Sequence, residues 1–189
     1  MSKTTVVRSA LAGVLALGLL FASIAFSTAQ MSAPAQSPAD LNDLEIAHVA
    51  YTADVIDIRY AHLALAISKN PRVREFAETM IRDHTAVNEQ ALALLKKLNA
   101  SAQDNFLSKR LSAQADRLVA EMSRLSGEGF DRRYANNELE YHRAVNGLVE
   151  GTFIPNLENP EVKTLFEQAL KIFKTHEQHA EKMVASLES

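Results

Sequence analysis

Two Asn-Pro pairs, Asn70-Pro71 and Asn159-Pro160, each open a long run in which apolar residues recur every three or four positions. That combination leaves little choice of secondary structure. Asparagine caps a helix by accepting a free backbone N–H, and proline suits the first helical position, where its missing N–H is not needed. A period near 3.6 then puts the apolar residues of each run on one face. After Asn70 that face reads Val73, Phe76, Ala77, Met80, His84, Val87, Asn88, Ala91, Leu94, Leu95 and Leu98. After Asn159 it reads Val162, Leu165, Phe166, Ala169, Ile172, Phe173, His176, Ala180, Met183 and Leu187. The matched openings suggest two related hairpins, although shared cap chemistry alone produces the same echo.

A first helix is expected from Leu41 to Ser68, with Leu44, His48, Tyr51, Val55, Ile58, His62 and Leu65 as its inner line. The connection from Ser68 to Asn70 is so short that this helix and the next must form an antiparallel hairpin. Between the hairpins, Phe106 to Leu125 and Phe130 to Phe153 are both helix-like, and Ser126-Gly127-Glu128-Gly129 breaks them. At 1.5 Å per residue the first of these spans roughly 30 Å, the height of a bundle. It can therefore carry the chain back to the level where the second helix began, so that the helix from Phe130 runs parallel to the second. A plain five-helix array is the competing arrangement. The expected fold is all-α, a four-helix bundle with a helical crossover over residues 41–187. Composition agrees: six Gly, five Pro and no Trp accompany heavy use of Ala, Leu, Glu, Lys and Arg, which lose little on entering a helix.

Residues 1–29 read apart from the rest. Lys3 and Arg8 form a basic start, Ser9 to Phe26 is uncharged and rich in Ala and Leu, and Ser27 and Ala29 stand at the −3 and −1 positions of a cleavage site before Gln30. This is the pattern of a secretory signal peptide; an uncleaved anchor is the alternative. Residues 30–40 then read as a flexible leader, small, polar and Pro-containing. The protein is expected to be exported to the periplasm or cell envelope, with no membrane span once the signal is removed. The signal segment holds two of the twenty basic residues and none of the twenty-three acidic ones, so its loss takes the formal charge from −3 to −5. That balance argues against nucleic acid as a partner, which needs a basic face to displace counterions. The chain has no Cys, so stability rests on packing without disulfides and any metal ligands are oxygen or imidazole.

Polar residues that interrupt apolar lines are the candidates for chemistry. His84 lies thirteen residues into its helix, His142 twelve into the helix from Phe130, and His176 sixteen into the last one, while Asp57 lies eleven from the end of the first. Glu138 is one turn before His142 on the same face. With the crossover in place, His84, His142, His176, Asp57 and Glu138 fall near one level and can hold a divalent metal. The plainer reading is that each His bonds a neighbouring helix and that Asp57 and Glu138 are solvated or paired with Arg. His179 is a further imidazole on the last helix, with exposure favoured by its charged neighbours. His48 and His62 are too far apart to share an ion. No Cys nucleophile, Ser elbow or phosphate-cradling Gly loop is present.

Phe76-Ala77, Met80-Ile81, Asp83-His84, Asn88, Leu125-Ser126-Gly127, Phe130-Asp131, Tyr134, His142 and His176 resemble the pattern of the domain-of-unknown-function family 4142, over roughly residues 40–187. The resemblance implies an exported bacterial protein with a ferritin-like helical fold. Some members carry an outer-membrane label, but this sequence has no alternating strands for a barrel. The resemblance brings no catalytic residues. Ferritin-like di-iron centres use Glu-x-x-His pairs, and here Ile81 precedes His84 and Phe173 precedes His176 at that spacing. A mononuclear site of imidazoles and one carboxylate suits zinc, copper, nickel or iron.

Two functional classes follow. The first, ranked ahead, is a non-enzymatic envelope protein that binds an unknown protein or envelope partner or serves under stress, its buried His and Asp holding the helices in register. The alternative is a metal-binding or redox protein with a His/carboxylate site inside the bundle. Neither reading names a reaction.

Overall fold

The computed structural model describes residues 36–188. The expected signal peptide, its cleavage site and the first part of the leader lie outside the described residues. The last part of that leader, Pro38–Asp40, is a single 3-10 turn whose ends are tied by a reciprocal Ser37–Asp40 capping box.

Asparagine starts four of the helices. Asn42 caps α1 (Asp43–Ile67) by accepting from the N–H groups of Leu44 and Glu45, while Glu45 reaches back to the Asn42 N–H. Asn70 accepts from Arg72 N–H at 3.0 Å to open α2 (Pro71–Lys97). Asn105 caps α3 (Phe106–Met122) through Leu107 and Ser108. Asn159 accepts from Glu161 and Val162 at the start of α6 (Pro160–Glu188). Each such cap contributes about 1 kcal/mol. The helix α4 (Gly127–Leu148) starts differently: Ser126 makes no side-chain cap bond, and Gly127 turns the chain at φ 55°, a conformation that costs an L side chain energy. A π-helical turn, Val149–Phe153, and the three-residue α5 (Ile154–Asn156) lead from α4 to α6. Among the described residues there is no strand, and no helix is long and apolar enough to cross a membrane.

The helices pack with α1 against α2, α3 and α4, and with α6 against α2 and α4. Side-chain bonds fix their directions. The Asp43 carboxylate accepts from the N–H groups of Glu158 and Asn159, which puts the starts of α1 and α6 at one end. Ser68 Oγ donates to Asp131 at 2.5 Å, which puts the end of α1 beside the start of α4 at the other. Asn105 Nδ2 donates to Glu45 O and Arg59 to Asp116, so α3 runs alongside α1 in the same direction. Thus α3 carries the chain back along the bundle and α4 runs parallel to α2, the arrangement expected from the length of that segment. Ile46, Val49, Ile56, Tyr60, Phe76, Met80, Met122, Phe130 and Tyr134 are almost wholly buried at its centre.

One face differs from the expectation. The buried line of α1 is Ile46, Val49, Ala53, Asp54, Ile56, Asp57, Tyr60, Ala61 and Ala64, whereas Val55 and His62 are exposed and Leu44, His48, Tyr51, Ile58 and Leu65 only half-buried. The helix is apolar nearly all round, so its period alone does not select a face. Two acidic residues on the inner face made that face look like the wet one. For α2 and α6 the expected faces hold, except that Ile172 is exposed.

Candidate metal centre

Four helices bring the expected residues to one level. Asp57 comes from α1, His84 from α2, Glu138 and His142 from α4, and His176 from α6; all are buried, Asp57 and Glu138 completely. The three imidazoles form a near-equilateral triangle, with ring centroids 5.8 Å apart for His84–His142, 5.3 Å for His84–His176 and 5.6 Å for His142–His176. One ligand atom from each of the three lies within 4.8 Å of the others, and the same holds for Asp57, Glu138 and His142. Asp57 Oδ2 is 3.5 Å from both His84 Nε2 and His142 Nε2. The solvated or Arg-paired reading of Asp57 and Glu138 does not hold, since neither is exposed and, among the described residues, no arginine pairs with either.

Each ring is fixed through one nitrogen and left free at the other. His84 Nδ1 bonds Asp54 Oδ1 at 2.7 Å, His142 Nδ1 bonds the Glu138 carbonyl at 2.9 Å, and His176 Nε2 bonds Asp83 Oδ2 at 2.9 Å. The opposite nitrogens, His84 Nε2, His142 Nε2 and His176 Nδ1, have no hydrogen-bond partner, and neither do Asp57 Oδ1, Asp57 Oδ2 and Glu138 Oε2. A buried polar atom without a partner costs about 1–3 kcal/mol. Six of them in one place therefore form a cluster that a bound cation would satisfy. Metal-ligating imidazoles nearly always show this division, with the second nitrogen held by a carboxylate or carbonyl that sets the tautomer.

Charge within the cluster is uneven. Burial opposes charge on His84, but Asp57 and the hydrogen-bonded Asp54 outweigh it and hold its pKa up at about 9. Burial and the neighbouring His84 push His142 down to about 4, and burial does the same to His176 despite its bond to Asp83. Those two rings are neutral at pH 7, with lone pairs available. Burial raises the carboxyls of Asp54, Asp57 and Glu138, and Asp57 adds to the rise of Glu138.

Phe173 stacks on His84, with centroids 4.6 Å apart and planes 11° from parallel. It occupies the position three residues before His176 where a Glu-x-x-His pair would carry a carboxylate, so an apolar ring stands where a second ion's ligand would be. His179 lies against Phe76 at 5.1 Å, half-buried and outside both groups. His48 approaches Asp104 at 3.9 Å, and His62 is exposed. Sequence reasoning missed Asp54 and Asp83 as partners of the imidazoles. For Asp54 the signal was its place three residues before Asp57, one turn along the same helix face.

The family described as Domain of unknown function (DUF4142) matches residues 27–183. The chain belongs to this family. No curated protein and no solved structure matches the chain. Membership in DUF4142 brings no reaction with it, so the chemistry of this member has to be argued from its own side chains.

Proposed function

We propose that this DUF4142 protein is an exported metal-binding helical bundle of ferritin-like type. In this reading it works in the periplasm or cell envelope and holds one divalent transition-metal ion between His84, His142, His176 and Asp57. The observation that carries the reading is the set of unpartnered buried atoms: three imidazole nitrogens and a carboxylate from four helices, each ring held by a bond on its far side. Imidazole-rich donors suit zinc, copper, nickel or iron and not calcium or magnesium, which take oxygen. Tetrahedral zinc with bonds of about 2.0–2.1 Å sets its ligand atoms on the order of 3.4 Å apart, so a triangle within 4.8 Å closes by small side-chain movements. Glu138 stands beside this set as a buried acid near the ion.

A second reading is favoured by the cross-helix bonds His84–Asp54 and His176–Asp83. Here the same groups hold the helices in register for a protein that binds an envelope partner without metal. Elemental analysis of untagged protein from its native compartment separates the two. The metal reading expects close to one transition-metal ion per chain, lost in His84→Ala while the helical circular-dichroism spectrum persists. Metal-free protein that fails to take up zinc, copper, nickel or iron in vitro would leave the register reading.

A further inference from the structure

A cavity of about 570 Å³ lies between the helices and runs from the end that holds the start of α1, the end of α2 and the start of α6 past the middle of the bundle. Its wall is mostly apolar and includes Val49, Leu95, Leu111, Val145, Phe153 and Phe166. The space opens to the surface beside the exposed Arg110, Gln114 and Glu140, so it is a deep groove between the helices that solvent or a ligand can enter. It falls within the roughly 300–1,000 Å³ of pockets that enclose small organic ligands. Its shape follows the helices: α4 lines it from Arg133 to Leu148, a rise of about 22 Å at 1.5 Å per residue. The space is thus elongated along the bundle, a shape that suits a linear chain.

The polar groups of the wall are few and placed unequally. Arg110 on α3 is exposed where the cavity meets the surface and forms no ion pair among the described residues; Gln114, one turn further along α3, adds an amide donor. Arg133 also lines the cavity but is engaged by Glu121. Glu140 is the exposed acid of the lining, and Asp54 is tied to His84. Asn88 Oδ1, buried and without a hydrogen-bond partner, is a further acceptor in the wall.

We propose that this cavity binds a single-chain anionic amphiphile of the long-chain fatty-acid class. The alkyl tail lies among Val49, Leu95, Leu111, Phe153 and Phe166, and the carboxylate is held at the surface by Arg110 and Gln114. Such a chain needs many apolar contacts along an elongated path and one cationic donor at its end, which is what the wall supplies. The site does not rest on the metal reading, although Asp54 and Phe173, which hold and stack on His84, also line it.

The test uses the mature chain, freed of metal, with the linear fluorescent fatty acid cis-parinarate as probe and laurate as competitor. Saturable binding of one probe per chain with enhanced emission is expected, and laurate should displace it. Ala91→Trp and Ala50→Phe, which project bulk into the cavity from α2 and α1, should each weaken probe binding at least tenfold with an unchanged helical spectrum. Arg110→Gln should weaken laurate several-fold while leaving dodecyl maltoside unaffected. The proposal is overturned if the wild-type chain binds no probe, or if both filled variants bind it as the wild type does. It is equally overturned if dodecyltrimethylammonium competes better than laurate, or if the probe is excluded because two chains dimerise over this opening. Because the measurement is made without metal, a chain that binds no ion can still bind the probe.

Discussion

At the scale of single residues, metal binding depends on which nitrogen of each imidazole is already used. The bonds to Asp54, Asp83 and the Glu138 carbonyl turn the free nitrogens of His84, His176 and His142 toward a common centre. That centre holds protons an ion must displace. With a pKa of about 9, His84 is protonated at pH 7, whereas His142 and His176, at about 4, have lost theirs far below neutrality. Metal binding at pH 7 should therefore release at least one proton, and affinity should rise about tenfold per pH unit per proton until His84 deprotonates near pH 9. Zinc titration calorimetry in two buffers of different ionisation enthalpy counts that proton. Equal heats in both buffers would contradict the assignment. His84 and His176 were legible in the sequence because each interrupts an apolar line near mid-helix; Asp57, Glu138 and His142 were legible by their height in the bundle, since Asp57 lies off the inner line expected for α1. Asp54 and Asp83 were not, because an aspartate beside a histidine or one turn from another aspartate looks like an ordinary solvated charge until the neighbouring helix is in place.

At the scale of elements, boundaries were legible wherever a cap residue carried the signal. Asn70-Pro71 and Asn159-Pro160 start α2 and α6 as read, and Gly127 marks the break before α4. The face of α1 was not legible. A helix apolar on nearly every side gains similar energy at several rotations, and the choice falls to partners remote in sequence, here His84, His142 and Tyr141, whose hydroxyl donates to Ala53 O. The face of α2 is unambiguous, and Phe76 is its fully buried centre, edge-on to both Tyr134 and His142. Phe76→Ala should therefore cost about 3–5 kcal/mol in metal-free protein, read as a lower urea midpoint at unchanged slope. A loss under roughly 1 kcal/mol would place the ring outside the core and undo the packing described here.

At the scale of the whole molecule, the antiparallel course of α1 with α2 and the return along α3 set the height of every candidate ligand. The expected crossover length was enough to bring α4 parallel to α2, and with it His142 to the level of His84. What no period or cap could reveal was the space left between the helices beside that level, since a cavity is a property of how faces meet and not of any one face. A bundle with unsatisfied ligands at its centre is also less stable than its apolar core alone would make it. Metal at a hundred times its dissociation constant would add about 2.7 kcal/mol. X-ray absorption at the zinc edge of the loaded protein reads the ligand set itself. One ion per chain is expected, with three imidazole nitrogens and one carboxylate oxygen at about 2.0–2.2 Å, and one fewer imidazole or no bound zinc in His84→Ala. A spectrum dominated by oxygen ligands, or one that His84→Ala leaves unchanged, would contradict this ligand set.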